Sequence, residues 1–398
     1  MSETPLLACV PLVTRERATQ GYDFTLYSVH GERAAVGGVA ALLGGANGQP
    51  GFFDRMPARL ALADSAQVEA ERSPAAAGRF VLSLHQDGAV EDAAAAVSAW
   101  KAAGFGLCLD LGKPDDWPAP VLSQAAYLRL DAGTLGAQLG EIAGKLKGLP
   151  AKKIARGVRT PEVFQRATSA GCDLCEGYFF TQPTGAPAQA VNASYTNIVN
   201  LMKLAQDDAP IARLEEVLKR DATLSFKLLR YINSAGFGLS CEIQSFRHAV
   251  TVLGYHNLHK WLALLLVTAA KQNNAPALVT TAIARGRLAE LLGQGLFEQQ
   301  DRDNLFITGT FSLLHAILQI PLERIAEQVA LPESVSEALL THSGPFGPLL
   351  ELVVALESLD TPGTSERAVE LAMSLGLTHE VVNRSNIEAL AWAEGLAH

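Results

Sequence analysis

In the first 185 positions, apolar residues come in short runs separated by alanine-rich stretches with helical spacing. Residues 80–84, 106–111, 127–130 and 154–158 are runs of strand length, whereas 90–103 and 135–146 are long enough for helices. Strand, helix, strand repeated in this way predicts a parallel sheet or barrel, because parallel neighbours need a crossover that a helix supplies. Beyond residue 195 the spacing becomes helical almost throughout. Ile198, Leu201, Met202 and Ala205 form one stripe; Leu224, Leu228, Leu229 and Ile232 form another, with Asp221 placed to cap its start. The longest apolar run, 261–270, is shorter than the roughly 20 residues a bilayer-spanning helix requires, so a buried helix and no membrane association are expected. The texture changes at Pro183-Thr184-Gly185-Ala186-Pro187. The expected organisation is therefore an α/β domain over 1–185, a linker over 186–194 and an all-α domain over 195–398.

Composition agrees with two cores. A chain of 398 residues with 48% hydrophobic and 18% charged residues is globular and longer than one core usually serves. A net charge of −9 argues against a dedicated nucleic-acid binder, so no direct nucleic-acid partner is expected. The opening residues carry no basic segment with a cleavage site. The five cysteines form no paired framework, which suits a reducing cytoplasm, the expected location.

The stretch Gly171-Cys-Asp-Leu-Cys-Glu-Gly-Tyr-Phe-Phe-Thr-Gln-Pro183 resembles the closing strand of EAL domains, usually worded close to GCDxxQGYxFSxP. Upstream and in the expected order stand Leu107-Cys-Leu-Asp-Leu-Gly112 for the family's LDDFG, Leu128-Arg-Leu-Asp131 for LKID and Ala155-Arg-Gly-Val-Arg-Thr160 for AEGVET. Gly21-Tyr-Asp-Phe24 aligns with the strand that names the family. The resemblance spans about residues 8 to 185 and implies a shortened (β/α) barrel. Active EAL domains hydrolyse cyclic di-GMP with two divalent metals, which require oxygen ligands.

Position by position, those ligands are altered. Asp23 stands for the first Glu, and no Asn is available between Asn47 and Asn192. The strand over 80–85 offers Ser83 and His85. Leu109 replaces the first Asp of the pair and leaves Asp110. Arg129 stands for the catalytic Lys, Arg156 and Arg159 for the two Glu of AEGVET, and Asp131 and Glu176 complete the set. Arginine is not a functional substitute for a lysine that must give up a proton. A degenerate site holding no metal and no other cofactor is therefore expected. Two fates are open to the arginines: gripping the phosphates of cyclic di-GMP, or pairing with Asp110, Asp131 or Glu176 in a closed mouth.

The second half resembles HDOD domains, helical relatives of HD phosphohydrolases that lack the metal-binding dyad. The resemblance rests on the stretch over 228–238 with Asn233, Ser234 and Ala235, and on the helix over 243–254 ending in Leu253-Gly254. His315 is followed by Ala316, so the dyad is missing. His256 and His259 stand at i, i+3 without a third ligand, and are expected to be ordinary polar histidines. Cys172 and Cys175 have redox spacing but fall on a strand. Segments 349–359 and 365–375 are amphipathic candidates for partner surfaces.

The combined reading is a signalling protein without enzymatic activity that acts through contacts with other signalling proteins. The alternatives are a non-hydrolysing cyclic di-GMP receptor and, third, a metal-dependent cyclic di-GMP phosphodiesterase. Oligomeric state is not legible in the chain.

Overall fold

The computed structural model describes residues 5–34, 38–44, 52–56, 59–68, 78–85, 90–113, 117–182, 193–219, 221, 224, 243, 245–269, 276–329 and 331–397. The chain divides into two compact units. One comprises Met1–Gln182 with Ala355–Val369, the other Pro183–Val354 with Glu370–His398.

The first unit is mixed α/β around a closed eight-stranded barrel in sequential order. Its strands are β1 Leu6–Val13, β2 Thr19–Tyr27, β3 Leu60–Asp64, β4 Val81–Leu84, β5 Gly106–Leu111, β6 Tyr127–Asp131, β7 Lys152–Arg156 and β8 Leu174–Glu176. From β2 to β8 every neighbouring pair is parallel, and β1 closes the barrel antiparallel to both β2 and β8. Of the parallel strands, β4 to β7 follow the apolar runs. The β1–β2 pairing departs from the parallel expectation because a hairpin needs no crossover helix.

Residues two apart on a strand share a face. Leu12, Leu62, Cys108, Ile154 and Leu174 accordingly form one buried layer inside the barrel, with Leu60, Val81 and Tyr127 against it. One pleat further along the same face come Asp64, Asp110, Arg156 and Glu176, at the C-terminal ends of their strands. The barrel interior is thus oily below and charged at its mouth. Gly177 fixes how β8 ends: its φ is 141°, and an added Cβ would lie 2.1 Å from the Val158 carbonyl oxygen. Only glycine lets the chain pass that close, and the approach is secured by Val158 N donating to Glu176 O at 3.0 Å.

The second unit is helical. Its principal helices are Ala193–Gln206, Phe246–Ala269, Pro276–Leu292, Gln299–Phe311, Gly347–Ala355 and His379–Ala397. Trp261 to Val267 are buried without a break, so this run is a core element, as its composition predicts. Among the described residues no helix is long and apolar enough to cross a membrane. Asp221 Oδ1 accepts from Leu224 N at 2.9 Å, the predicted cap; the rest of that stripe, Leu228, Leu229 and Ile232, lies outside the described residues, as do Asn233, Ser234 and Ala235. The 186–192 part of the expected linker also lies outside them. Gly254 interrupts its helix with φ 75° and ψ 165°. The segment 349–359 is not a free amphipathic face: Leu349, Leu350, Leu352, Val353, Leu356 and Leu359 are all buried.

The helical unit carries buried charge of its own. Lys260 hydrogen-bonds Glu290, lies 3.9 Å from Asp303 and sits 4.6 Å over the Phe306 ring. Arg287 bonds Glu290 at 2.8 Å and Glu388 at 3.0 Å. Arg287–Glu290 is an i, i+3 pair on one helix, whereas the others are non-local, so helical periodicity does not announce them.

Candidate functional site

The mouth of the barrel is organised around Arg129. The β6 alternation that turns Leu128 and Leu130 outward turns Arg129 inward, where it is 2% exposed. A guanidinium has five N–H donors in a planar fork, and here the fork makes five bonds. Nε reaches Asp110 Oδ1 at 2.6 Å and Nη2 reaches Asp110 Oδ2 at 3.0 Å, a bidentate pair. Nη1 donates to Asp23 Oδ2 at 2.9 Å and Glu176 Oε2 at 3.3 Å, and Nη2 donates to Ser83 Oγ at 2.7 Å. Side chains from β2, β4, β5 and β8 are thereby joined through one residue of β6.

A second row stands nearer solvent. His85, just past β4, places Nδ1 2.7 Å from Asp110 Oδ2 and Nε2 3.2 Å from Asp64 Oδ2. The second approach lacks hydrogen-bond geometry and leaves buried Nε2 without a partner. Arg33 reaches Asp64 Oδ2 through Nη1 at 3.3 Å, and its buried Nη2 is likewise unpartnered. Arg33, Asp64, His85 and Trp100 line a cavity of about 540 Å³. Arg156 lies 3.6 Å from Asp110 and 3.7 Å from Glu176, contacts too long for strong hydrogen bonds.

Burial by itself would raise the Asp110 carboxyl, but the Arg129 guanidinium and then His85 hold it well below the usual carboxylate range. Glu176 behaves oppositely. Burial pushes it up to about 7 against the pull of Arg129, with Asp23 adding to the rise. Arg129 is kept charged: burial disfavours its cation, but Asp110, Glu176 and Asp23 together more than compensate.

The sequence-derived positions do not all converge here. Asp23, Ser83, Asp110, Arg129, Arg156 and Glu176 do. Leu109 does not: it alternates to the opposite face of β5 and is fully buried there, so neither a carboxylate nor its loss at that position would act on the mouth in this register. Asp131 caps the helix Ala132–Leu135, accepting from Thr134 N at 2.8 Å. Arg159 pairs with Asp360 at 2.9 Å and hydrogen-bonds Thr361, so the expected pairing of the arginines with Asp110 and Glu176 holds for Arg129 and Arg156 only. Asp64 and Arg33 were not singled out in the sequence; the one available signal is that Asp64 ends an apolar run, as Asp110, Asp131 and Glu176 do. Cys172 and Cys175 are buried and free, with thiols pushed by burial up to about 11 and about 12, which removes thiolate chemistry near neutrality. His259 Nε2 is 3.0 Å from Met202 O, the role of an ordinary polar histidine.

The EAL resemblance implies divalent cations at this mouth, and the residues present do not fit them. Asp23 Oδ2, both oxygens of Asp110, Glu176 Oε2 and Ser83 Oγ all accept from Arg129. Among the described residues, no group of three or more His, Cys, Asp or Glu side chains is arranged to hold a metal ion.

The HDOD domain model matches residues 190–340. Cyclic di-GMP phosphodiesterase CdgJ of Vibrio cholerae serotype O1 is 29% identical over 257 residues, covering 64% of this chain and 59% of CdgJ. The uncharacterized protein YuxH of Bacillus subtilis is 28% identical over 249 residues, covering 61% of this chain and 59% of YuxH. The chain thus spans about three fifths of the length of the curated relatives it matches. Among solved structures, a standalone versatile EAL protein from Vibrio cholerae O395 in its c-di-GMP bound form is similar at 16% identity, covering 46% of this chain and 93% of that one, with a TM-score of 0.32.

The expectation of a protein without enzymatic activity is corrected by CdgJ, a homologue whose name is that of an enzyme. Ligand positions compared one at a time leave out what the mouth retains. Four carboxylates, a histidine and partly exposed guanidinium groups are the side chains of acid–base and phosphate chemistry. The chain carries an HDOD domain and is homologous to a protein named a cyclic di-GMP phosphodiesterase.

Proposed function

We propose that this chain acts in cyclic di-GMP signalling as a phosphodiesterase-type barrel that meets the dinucleotide at its mouth, joined to an HDOD domain that relays to other signalling proteins. The observation that carries the reading is the pair of buried, unpartnered nitrogens, Arg33 Nη2 and His85 Nε2, on one cavity beside Asp64. A buried nitrogen without a partner carries a desolvation cost that a ligand oxygen relieves. Phosphate oxygens suit the guanidinium, and Trp100 supplies an aromatic surface at the same cavity. With Nδ1 turned to Asp110, His85 Nε2 is left to take the proton of a water that attacks phosphorus, or to give one to the ester oxygen that leaves as its P–O bond breaks. Arg156, held only at long range, has donors to spare for the second phosphate. Homology to CdgJ supports the reaction class.

The test is to incubate the purified full chain with cyclic di-GMP, with and without Mg²⁺ or Mn²⁺, and to separate the products by chromatography. Linear dinucleotide is expected, and His85→Ala should lower its rate by 100-fold or more, within the roughly 10²–10⁴ that positioned acid–base groups supply. Binding without product, or no binding by calorimetry, would sink the phosphodiesterase reading. The relay part is tested by pull-down with the full chain against the HDOD region alone.

A further inference from the structure

We infer that the Arg129 guanidinium is the resident cation of the barrel mouth, standing in the place of a divalent ion and holding the mouth shut against one. The inference rests on the mouth's geometry and is independent of the phosphodiesterase reading. Three carboxylates from β2, β5 and β8 converge on a point inside the barrel, an arrangement that without a cation would be self-repelling. Arg129 occupies that point and directs every N–H of its fork to an oxygen: two bonds go to Asp110 as a bidentate pair, one each to Asp23 and Glu176, and the fifth to Ser83. Its side chain is 1% exposed, Asp23 4% and Glu176 7%, so water does not screen them. Oxygens collected from several strands onto one centre are what hard divalent ions require. Here the centre is covalently part of the chain and cannot be chelated or washed out.

Two consequences separate this from an ordinary buried salt bridge. The native mouth should be indifferent to divalent ions, because every oxygen of the cluster facing its centre is already an acceptor. Removing the guanidinium should leave carboxylates that demand a replacement, turning the mouth into a divalent-ion site.

The experiment compares the full-length native chain with Arg129→Ala, in chelator and with Mn²⁺, by thermal unfolding and by loss of the free Mn²⁺ paramagnetic resonance signal. Arg129→Ala should unfold at lower temperature in chelator, gain roughly 5 °C or more at saturating Mn²⁺ and take up about one ion. Asp110→Asn added to Arg129→Ala should abolish that gain, and the native chain should show none. Uptake by the native chain that Asp110→Asn abolishes would overturn the inference, as would an Arg129→Ala protein that Mn²⁺ leaves unmoved. If Arg129→Ala folds only when Mn²⁺ is supplied, the inference stands. If it folds under neither condition, the charge-balanced variant Arg129→Met with Asp23→Asn and Glu176→Gln decides. Folding with no response to Mn²⁺ supports a charge-balancing role, and failure to fold shows that the guanidinium serves shape and overturns it.

Discussion

At the scale of single residues, the mouth sets two carboxyls in opposite directions, and this gives a pH signature. Asp110 is held low by Arg129, so its contribution is present above the unfolded value of about 3.9 and is lost as pH falls below it. Glu176 is raised from 4.5 to about 7, so its contribution is present below its unfolded value and is lost as pH rises towards 7. At about 1.4 kcal/mol per pKa unit, the Glu176 effect amounts to up to roughly 3 kcal/mol. The barrel should therefore be most stable in mildly acidic solution, near pH 5, in denaturant titrations across pH. Glu176→Gln should flatten the decline between 5 and 7, and an unchanged slope would refute the assignment. Arg159 supplies the contrast. Its pair with Asp360 is 51% and 37% exposed, so Arg159→Ala should cost no more than about 1 kcal/mol by urea unfolding. A larger loss would mean that Arg159 serves more than a surface contact.

At the scale of elements, apolar runs located β4 to β7 to within a residue or two, because strands inside a closed barrel are covered on both faces. The same signal was silent about β3. Its residues, Leu60-Ala61-Leu62-Ala63-Asp64, alternate with alanine, which is depleted in strands, so it is pairing with β2 and β4 that makes them one. The helix Phe246–Ala269 shows the converse. Its run of Trp261 to Val267 announces burial, whereas the break at Gly254 shows in sequence only as a glycine. With φ 75° and ψ 165°, Gly254 occupies a region nearly exclusive to glycine, so Gly254→Ala should destabilise the helical unit by roughly 1–3 kcal/mol. Equilibrium unfolding followed by Trp261 fluorescence would measure it; a neutral outcome would show that the kink can be straightened without loss.

At the scale of the whole molecule, the segment Ala355–Val369 belongs to the barrel unit although it is far along the chain. Ser365 Oγ donates to Ser28 O at 2.7 Å, and Asp360 and Thr361 hold Arg159. A fragment comprising residues 1–185 lacks these partners, and the boundary drawn from sequence texture does not foresee the need for them. That fragment should melt several degrees below the barrel transition of the full chain and be cleaved faster by protease. Equal resistance would show the segment to be dispensable.

What the chain determined unaided is what local pattern controls: strand and helix type from the spacing of apolar side chains, the change from α/β to α, and the residue types available at each strand end. Which of those residues meet was decided only by tertiary structure. Arg129 and Asp23 lie 106 positions apart yet share a hydrogen bond, while Arg159, three residues beyond Arg156, faces elsewhere. The reason is physical. The preferences of a strand or helix act over a few residues, whereas closure of the barrel selects one face of every strand at once and brings charges together irrespective of their separation along the chain.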